Sequence, residues 1–178
     1  SRRYANFAGF GLCAGLIGFA LYVQHVLHIE PCPLCIFQRI AVIAIGFVFL
    51  VAALHDPGKL GARVYGVLIG LAALAGAGVA ARHIYIQHLP ADQVPACGAP
   101  LEQLLQVLPM RQVIEKVLRG DGECAKVDWT FIGLSMPEWV LIVVLTLAVA
   151  GLWINIVSIG AGIERPFGSA IRFTGSVS

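Results

Sequence analysis

Apolar residues run in four long stretches along the chain, separated by segments that hold most of the charged residues. The stretches cover about residues 4–24, 36–54, 64–86 and 139–163. A helix that crosses the hydrocarbon core of a bilayer needs roughly 20 predominantly apolar residues, and each stretch is close to this length. The pattern therefore predicts an all-α integral membrane protein, a four-transmembrane-helix bundle that forms a single membrane domain over residues 1–178.

Composition supports a membrane protein and excludes several other classes. The chain is 58% hydrophobic and 12% charged, whereas ordinary soluble domains are about 45–50% apolar and roughly 25% charged. A net charge of +2 without a lysine- or arginine-rich cluster gives no support for nucleic-acid binding. The start, "SRRY", lacks the small-residue cleavage site of a removed signal peptide, so we expect the first apolar run to be retained.

The distribution of basic residues predicts the orientation of the bundle. Four crossings place both termini on one side, where short segments carry Arg2, Arg3, Lys59, Arg63, Arg165 and Arg172. The opposite side has as many basic residues, but they are spread among eight acids. Basic density in short segments marks the cytoplasmic side. We therefore expect cytoplasmic termini, a cytoplasmic loop at 55–63, and periplasmic loops at about 25–35 and 87–138.

The cysteines agree with this orientation. Of five cysteines, Cys13 lies within the first span, where we interpret it as a small apolar core residue. The other four, Cys32, Cys35, Cys97 and Cys124, fall on the side away from the termini. An even set on one face suggests disulfides, which persist in oxidising compartments such as the bacterial periplasm.

The segment "IEPCPLCIFQR" has the features of a redox site. Cys32 and Cys35 open the second helix, where unpaired N–H groups and the helix dipole favour a thiolate. Arg39 follows Cys35 by four residues and so faces the same side of the helix. No G-x-G-x-x-G lies in a strand–helix setting that would bind a soluble dinucleotide. A two-electron acceptor dissolved in the membrane, such as a quinone, therefore fits this location.

Two other interpretations of the cysteine pair stay open from the residues alone. One is a structural bridge, which does not explain the siting beside a cation at the membrane edge. The other is a zinc site made of His25, His28, Cys32 and Cys35. The histidines close one span while the cysteines open the next, so the redox interpretation is favoured and no metal site is expected.

The long loop contains an amphipathic segment, "LEQLLQVLPMRQVIEKVL". Its apolar residues recur at helical spacing on both sides of Pro109, which predicts a short, broken amphipathic helix. Two placements are equally compatible with this pattern: the helix lies in the interface plane of the bilayer, or it packs on the top of the bundle.

Glycines recur at small-xxx-small spacing in two of the spans. The motifs are "GLCAG" at residues 11–15 and "GVLIG" at residues 66–70. Such spacing lets membrane helices approach each other closely. We expect both motifs to serve helix packing inside the bundle.

In order and spacing, these residues resemble the DsbB family of bacterial inner-membrane disulfide-bond formation proteins. The resemblance covers nearly the whole chain and includes "LYVQHVLHIEPCPLCIFQRIA", "RHIYIQ" and "GECAKVDWTFIGLSMPEWVLI". Together with DsbA and quinone, this family keeps the periplasm oxidising. The resemblance implies a quinone-dependent protein-disulfide oxidoreductase in the inner membrane, which reoxidises a soluble periplasmic DsbA-like thiol oxidase.

The resemblance also implies a role for each of the four cysteines, in the pairs Cys32–Cys35 and Cys97–Cys124. Cys35 would face the quinone, ubiquinone or menaquinone, and form a charge-transfer contact or adduct with its ring. Cys32 would exchange with the second pair. The reduced partner would attack Cys97 to give a mixed disulfide, and Cys124 would pass electrons towards Cys32.

For the quinone site, the resemblance implies Arg39 and His83, with Gln87 in the same pocket and His25 as a weaker candidate; His28 is given no role. From the residues alone, His83 is better interpreted as an interfacial histidine that faces lipid headgroups. We interpret the three tryptophans, Trp129, Trp139 and Trp153, as interface anchors or packing residues.

Two rival functions complete the set of predictions. A vitamin K epoxide reductase-like quinone oxidoreductase is disfavoured, because that architecture has its cysteine pair at the end of a late helix. A non-enzymatic membrane protein with structural disulfides or a zinc site is the rival from another class.

Overall fold

A computed structural model describes residues 2–90, 92–94, 101–120, 122–127 and 130–157. Four of its helices are long and apolar enough to cross a membrane, which confirms the predicted fold class. The first three are α1 (Arg2–Val26), α2 (Pro33–His55) and α3 (Lys59–Gln87). The fourth crossing is the helix that begins at Met136. The fourth apolar stretch was predicted to reach about residue 163, and residues 158–163 lie outside the described residues.

Short elements occupy the segment between the third and fourth crossings. In chain order they are α4 (Leu101–Val107), α5 (Met110–Arg119), α6 (Gly122–Ala125), β1 (Thr130–Phe131) and β2 (Leu134–Ser135). The last crossing, α7 (Met136–Leu152), continues into a π-helical turn, η1 (Trp153–Val157). We call the end of the bundle that holds these short elements the loop end, and the opposite end, with residues 2 and 157, the terminal end.

The centre of the bundle is an apolar core in which α3 lies against both α2 and α7, and α1 lies against α2. Its buried members come from all four crossings: Cys13, Val42, Ile45, Phe49, Ile69, Ala73, Val144 and Leu147. Cys13 is 2% exposed, so its thiol is packed as a small core side chain. This core fixes the positions of the helix ends, where the polar residues lie.

Only one of the two glycine motifs serves helix packing among the described residues. A Cβ at Gly66 would lie 3.0–3.3 Å from side-chain atoms of Asn155 and Ile156, so this motif packs against η1. The prediction is wrong for "GLCAG", because no described atom of another helix would lie within 4 Å of a Cβ added at either of its glycines. The close approach of α1 to α2 occurs at Gly9 instead, where an added Cβ would lie only 2.9 Å from the Phe49 ring.

At the terminal end, two buried asparagines join the first and last crossings. Asn6 donates to the side-chain oxygen of Asn155 at 3.2 Å, and Asn155 donates back at 3.0 Å. Asn155 also donates to the carbonyl of Gly151 at 3.0 Å. Both side chains are almost fully buried, so their amide groups satisfy each other where no water is available.

At the loop end, the amphipathic segment packs on the bundle, the second of the two placements considered from sequence. The buried residues of this contact are Leu34, Ile86, Leu104, Val113, Val117 and Cys124. Arg82 donates to the carbonyls of Leu118 and Arg119 at 3.0 and 3.1 Å, and so satisfies the C-terminal end of α5. At Gly120, φ is +79° and an added Cβ would clash with the side chain of Ile86, so glycine is required where the chain leaves α5.

A two-stranded hairpin leads into α7. Thr130 pairs with Ser135 and Phe131 with Leu134 in antiparallel register. The backbone N–H and the hydroxyl of Ser135 both donate to Glu138, at 2.6 and 2.9 Å, which fixes the start of the helix. The indole N–H of Trp139 donates to the carbonyl of Phe131 at 3.0 Å. The hairpin is thereby held against the first turn of α7.

Candidate redox site

The cysteine pair forms the N-terminus of α2. Cys32 is the N-cap residue, with extended backbone, and Pro33 begins the helix, where its missing N–H costs nothing. The backbone N–H of Cys35 donates to the sulfur of Cys32 at 3.4 Å, as in a normal side-chain cap. The two Sγ atoms are 3.2 Å apart, with the Cys32 thiol as donor, and both thiols are free. The local sequence therefore builds a dithiol whose sulfurs already face each other.

His83, from the last turns of α3, lies against both sulfurs. Its Nε2 is 3.8 Å from the sulfur of Cys32, and its Nδ1 is 4.0 Å from that of Cys35. The side chain is 3% exposed, so it does not face lipid headgroups. Cys32, Cys35 and His83 therefore lie together. The family resemblance implied a shared site for these three residues.

The hydrogen-bond partners of His83 determine its tautomer. Its Nε2 lies 3.0 Å from the carbonyl oxygen of Cys124, and a carbonyl can only accept, so Nε2 carries the proton. The buried amide of Gln38 lies 3.1 Å from Nδ1 and donates to it. The neutral imidazole therefore presents an unprotonated Nδ1 towards Gln38 and Cys35.

Cys124 is held directly behind His83. It lies in α6, is fully buried, and packs in the same apolar cluster as Leu34 and Ile86. Cys97, its predicted disulfide partner, lies outside the described residues, so that pairing stays a prediction. His83 nevertheless connects the two cysteine segments, because it contacts the carbonyl of Cys124 on one side and the sulfurs of Cys32 and Cys35 on the other.

A cavity of about 1040 Å³ opens beside the sulfurs. Its walls come from α1, α2, the end of α3, the hairpin and the start of α7. Most of its lining is apolar, with polar contributions from Cys32, Cys35, Gln38, Arg39, His83 and Gln87 among others. A mainly apolar cavity with a few convergent polar groups is the usual form of a site for a small organic ligand.

Arg39 is held in the wall of this cavity by α1. Its guanidinium donates to Gln24 Oε1 at 2.5 Å and to the carbonyl of Ala20 at 3.2 Å. These bonds use only part of the five N–H groups of a guanidinium, so others remain for a ligand. The cation predicted one turn after Cys35 thus lines the same cavity as the sulfurs.

Gln87 contributes a polar atom for which the described residues offer no partner. Its amide nitrogen is 3.5 Å from the carbonyl of Lys126, whereas its Oε1 is buried and accepts no hydrogen bond from any described residue. Buried polar atoms are normally satisfied, so an unpaired acceptor in a cavity wall indicates a place for a ligand's donor.

The other histidines of the sequence lie elsewhere. His25 is exposed, 3.0 Å from the carbonyl of Leu21, and is not among the residues that line the cavity. His28 is also exposed, with a positive φ of 53°. The zinc set considered from sequence is therefore not formed. Within the described part of the chain, Cys32, Cys35 and His83 are the group whose ligand atoms converge.

Three residues contribute to the site without having been predicted from the sequence. Gln38 and Gln24 are polar residues inside apolar spans, and that pattern alone marks them as candidates. The third is Phe131, which carries no such signal, because only the hairpin register brings it to the cavity.

The family model described as "Disulfide bond formation protein DsbB" matches residues 2–154. The chain belongs to the DsbB family. It is therefore a multi-pass membrane protein and a quinone-dependent disulfide oxidoreductase. Membership also decides against the vitamin K epoxide reductase-like and non-enzymatic alternatives.

Relatives named Disulfide bond formation protein B agree with this assignment. The chain is 54% identical over 142 residues to that of Chromobacterium violaceum, which covers 80% of this chain and 86% of the relative. Identity to the Nitrosococcus oceani protein is 51% over 153 residues, or 86% of this chain and 90% of the relative. For Acinetobacter baumannii it is 50% over 153 residues, or 84% and 90%.

Proposed function

We propose that this DsbB-family enzyme takes two electrons from a soluble periplasmic DsbA-like oxidase and delivers them, through Cys32 and Cys35, to a quinone in the cavity. The observation that supports this proposal is the dithiol itself, which lines a mainly apolar cavity beside an unprotonated imidazole nitrogen.

The residues of the cavity fit a quinone. An apolar ring and tail match the lining, and the free N–H groups of Arg39 suit a ring carbonyl oxygen. The unpaired Oε1 of Gln87 suits the hydroxyl of the reduced ring. When bound, a quinone supplies an acceptor for two electrons and two protons. These features accommodate ubiquinone and menaquinone alike.

The cysteine pair and His83 then have complementary tasks. Formation of the Cys32–Cys35 disulfide gives up two electrons and two thiol protons, and the sulfur of Cys35 faces the acceptor. Nδ1 of His83 is unprotonated and lies 4.0 Å from that sulfur, so it can receive the thiol proton. The carbonyl of Cys124 holds Nε2–H and keeps the ring in this orientation while the proton moves.

The second cysteine pair connects this site to the partner. The partner's dithiol attacks Cys97 of a Cys97–Cys124 disulfide, forms a mixed disulfide, and leaves as an oxidised protein. The resulting dithiol then reduces the Cys32–Cys35 disulfide by exchange, so each turn moves two electrons. The burial of Cys124 beside His83 supports this order, because it lies next to the first pair.

This scheme requires the loop end to face the periplasm and both termini to lie in the cytoplasm of an inner membrane. The concentration of Arg2, Arg3, Lys59 and Arg63 at the terminal end supports that orientation. In intact cells, a membrane-impermeant maleimide should reach the reduced loop-end thiols from outside. Labelling only from the cytosolic side would overturn the scheme.

Two variants test the order of electron flow. Cys35→Ser should abolish quinone reduction with any donor, because the last sulfur is missing. Cys97→Ser should block oxidation of the partner but retain quinone reduction by a small dithiol that attacks Cys32–Cys35 directly. Quinone absorbance and partner thiol counting measure the two activities.

Cys13→Ser is the matched control for both variants, because Cys13 is a core thiol far from the loop end and should leave both activities unchanged. Wild-type quinone turnover in Cys35→Ser, or wild-type partner oxidation in Cys97→Ser, would contradict the relay.

A further inference from the structure

We propose that the reduced loop-end site binds one Zn²⁺ ion through Cys32, Cys35 and His83, and that the bound ion blocks the site. One ligand atom from each residue lies within 4.8 Å of the others. This set differs from the one considered from sequence, because His83 comes from α3, 48 residues after Cys35.

The donor set and its dimensions suit this ion. Two sulfurs and one imidazole nitrogen are ligands that zinc prefers. Zinc–sulfur and zinc–nitrogen bonds of about 2.3 and 2.0 Å place tetrahedral ligands about 3.8 Å (S–S) and 3.5 Å (S–N) apart. The observed separations are 3.2 Å between the sulfurs and 4.0 Å from Cys35 to Nδ1. For these two pairs, side-chain rotations of about half an ångström bring the observed separations to the tetrahedral values.

The orientation of His83 is that of a metal ligand. Ligating histidines usually donate their second ring N–H to a carbonyl or carboxylate, which fixes the ring and leaves the other nitrogen for the metal. Here the carbonyl of Cys124 accepts from Nε2–H, so Nδ1 is the available nitrogen. The amide of Gln38, 3.1 Å away, is its competitor and must give up its bond when the ion binds.

The fourth position of the ion is open. Cys32, Cys35 and His83 all line the large cavity, so water can enter and complete the coordination. The cavity also gives the ion a path to the ligands, which a fully enclosed core site would lack.

Binding depends on the oxidation state of the site. The reduced pair offers two sulfurs that lose their protons to the solvent as the ion binds, and no electron is transferred. A Cys32–Cys35 disulfide has no thiolate to offer, so oxidation and zinc exclude each other. The binding itself is independent of the proposed function, whereas the block on turnover rests on the proposed role of Cys35.

Cobalt is the probe of this site. The purified full-length protein in detergent is reduced, freed of reductant without oxygen, and titrated with Co²⁺. We expect a sulfur-to-cobalt charge-transfer band that saturates at one ion per chain and disappears on addition of Zn²⁺. Full oxidation with a soluble quinone beforehand should prevent the band.

Matched variants assign the ligands. Outer partners of a metal site contribute about 10–100-fold to affinity, so removal of a ligand in Cys32→Ser, Cys35→Ser or His83→Phe should weaken cobalt binding by about a hundredfold or more. Gln38→Leu should bind at least as tightly as wild type, because the competing amide is gone. Cys13→Ser and His88→Ala, which alter a core thiol and an exposed histidine, should bind as wild type.

The possible failures are distinguishable. A missing band in the reduced wild-type protein, or a band that persists in the Cys32→Ser/Cys35→Ser double variant, overturns the zinc site and leaves quinone reduction untouched. A normal band with unchanged quinone turnover at saturating Zn²⁺ overturns instead the assignment of Cys35 to quinone reduction.

Discussion

Two buried polar clusters lie at opposite ends of the same apolar bundle and differ in how their groups are satisfied. At the terminal end, Asn6 and Asn155 exchange two amide hydrogen bonds of 3.0 and 3.2 Å. At the loop end, His83 has one carbonyl and one amide partner, and its other neighbours are the sulfurs of Cys32 and Cys35 at 3.8 and 4.0 Å.

The difference separates a structural cluster from a chemical one. The asparagines satisfy each other, because each side-chain amide donates to the other inside the bundle. The loop-end cluster opens into a cavity and contains weakly bonded sulfurs, which can exchange protons and electrons without breaking strong hydrogen bonds. Polar groups inside a membrane protein are costly, and they persist either as interhelical bonds or as functional sites. The described residues include a cluster of each kind, and variants of the two clusters should therefore act on different quantities.

The largest effect is expected at the loop end, on turnover. His83→Phe fills the same space but removes the nitrogen that accepts the Cys35 proton, so kcat for quinone reduction should fall by about 10²–10⁴-fold. The KM for quinone should change much less. The melting temperature should fall only slightly, because Gln38 lines the cavity and water can replace its lost partner there. Steady-state kinetics with a small dithiol donor, together with thermal unfolding in detergent, measure these quantities.

His88→Phe is the control, because His88 is an exposed histidine at the C-cap of α3. It should leave kcat for quinone reduction and the melting temperature unchanged. A His83→Phe enzyme with normal kcat and a strongly reduced melting temperature would make the loop-end cluster structural and remove the contrast.

A smaller effect is expected at the terminal end, on stability. Asn155→Leu leaves the buried amide of Asn6 without its partner, which should lower the free energy of unfolding by about 1–3 kcal/mol. The kinetic constants of the folded enzyme should stay at wild-type values. Denaturant unfolding in detergent measures the free energy of unfolding, and quinone turnover at low temperature measures the kinetic constants.

The Asn6→Leu/Asn155→Leu double variant sharpens this result. Because it removes both amides, it should be more stable than the sum of the single changes by about 1 kcal/mol. Thr146→Val, on α7, removes a hydroxyl that donates to the Ile142 carbonyl of its own helix, and this change should cost little. If the losses of stability in the two single variants add up to the loss in the double variant, the asparagines do not act as a pair.

The smallest effect is expected on quinone affinity. Arg39→His removes a guanidinium that α1 holds in the cavity wall, so the apparent KM for quinone should rise about tenfold, equivalent to about 1.4 kcal/mol. Turnover at saturating quinone should be affected less. Arg63→His, an exposed position near the terminal end, is the control. An unaltered KM would remove Arg39 from the quinone site.

The fold and the cysteine pair could be predicted because their signals are local. Length and apolarity identify the crossings without any knowledge of neighbours. The start of α2 is encoded in four residues, since Pro33 favours a first helical position and Cys32 then becomes the cap. The four-residue spacing likewise places Arg39 on the same side as Cys35.

The remaining features depend on contacts between distant segments. Gln24 holds Arg39 across two helices, and the carbonyl of Cys124 fixes the tautomer of His83 from 41 residues away. A main-chain carbonyl has no residue-type signature, so no sequence pattern could reveal that contact. The wrong prediction for "GLCAG" has the same origin: spacing marks a face that is able to pack closely, but not which neighbour approaches it.

The hydrogen bond that orients His83 is accepted by the backbone carbonyl of Cys124. Exchange of this cysteine for serine or alanine therefore keeps the same carbonyl available to the imidazole. Defects in such mutants can therefore be attributed to the missing sulfur and not to the loss of this hydrogen bond.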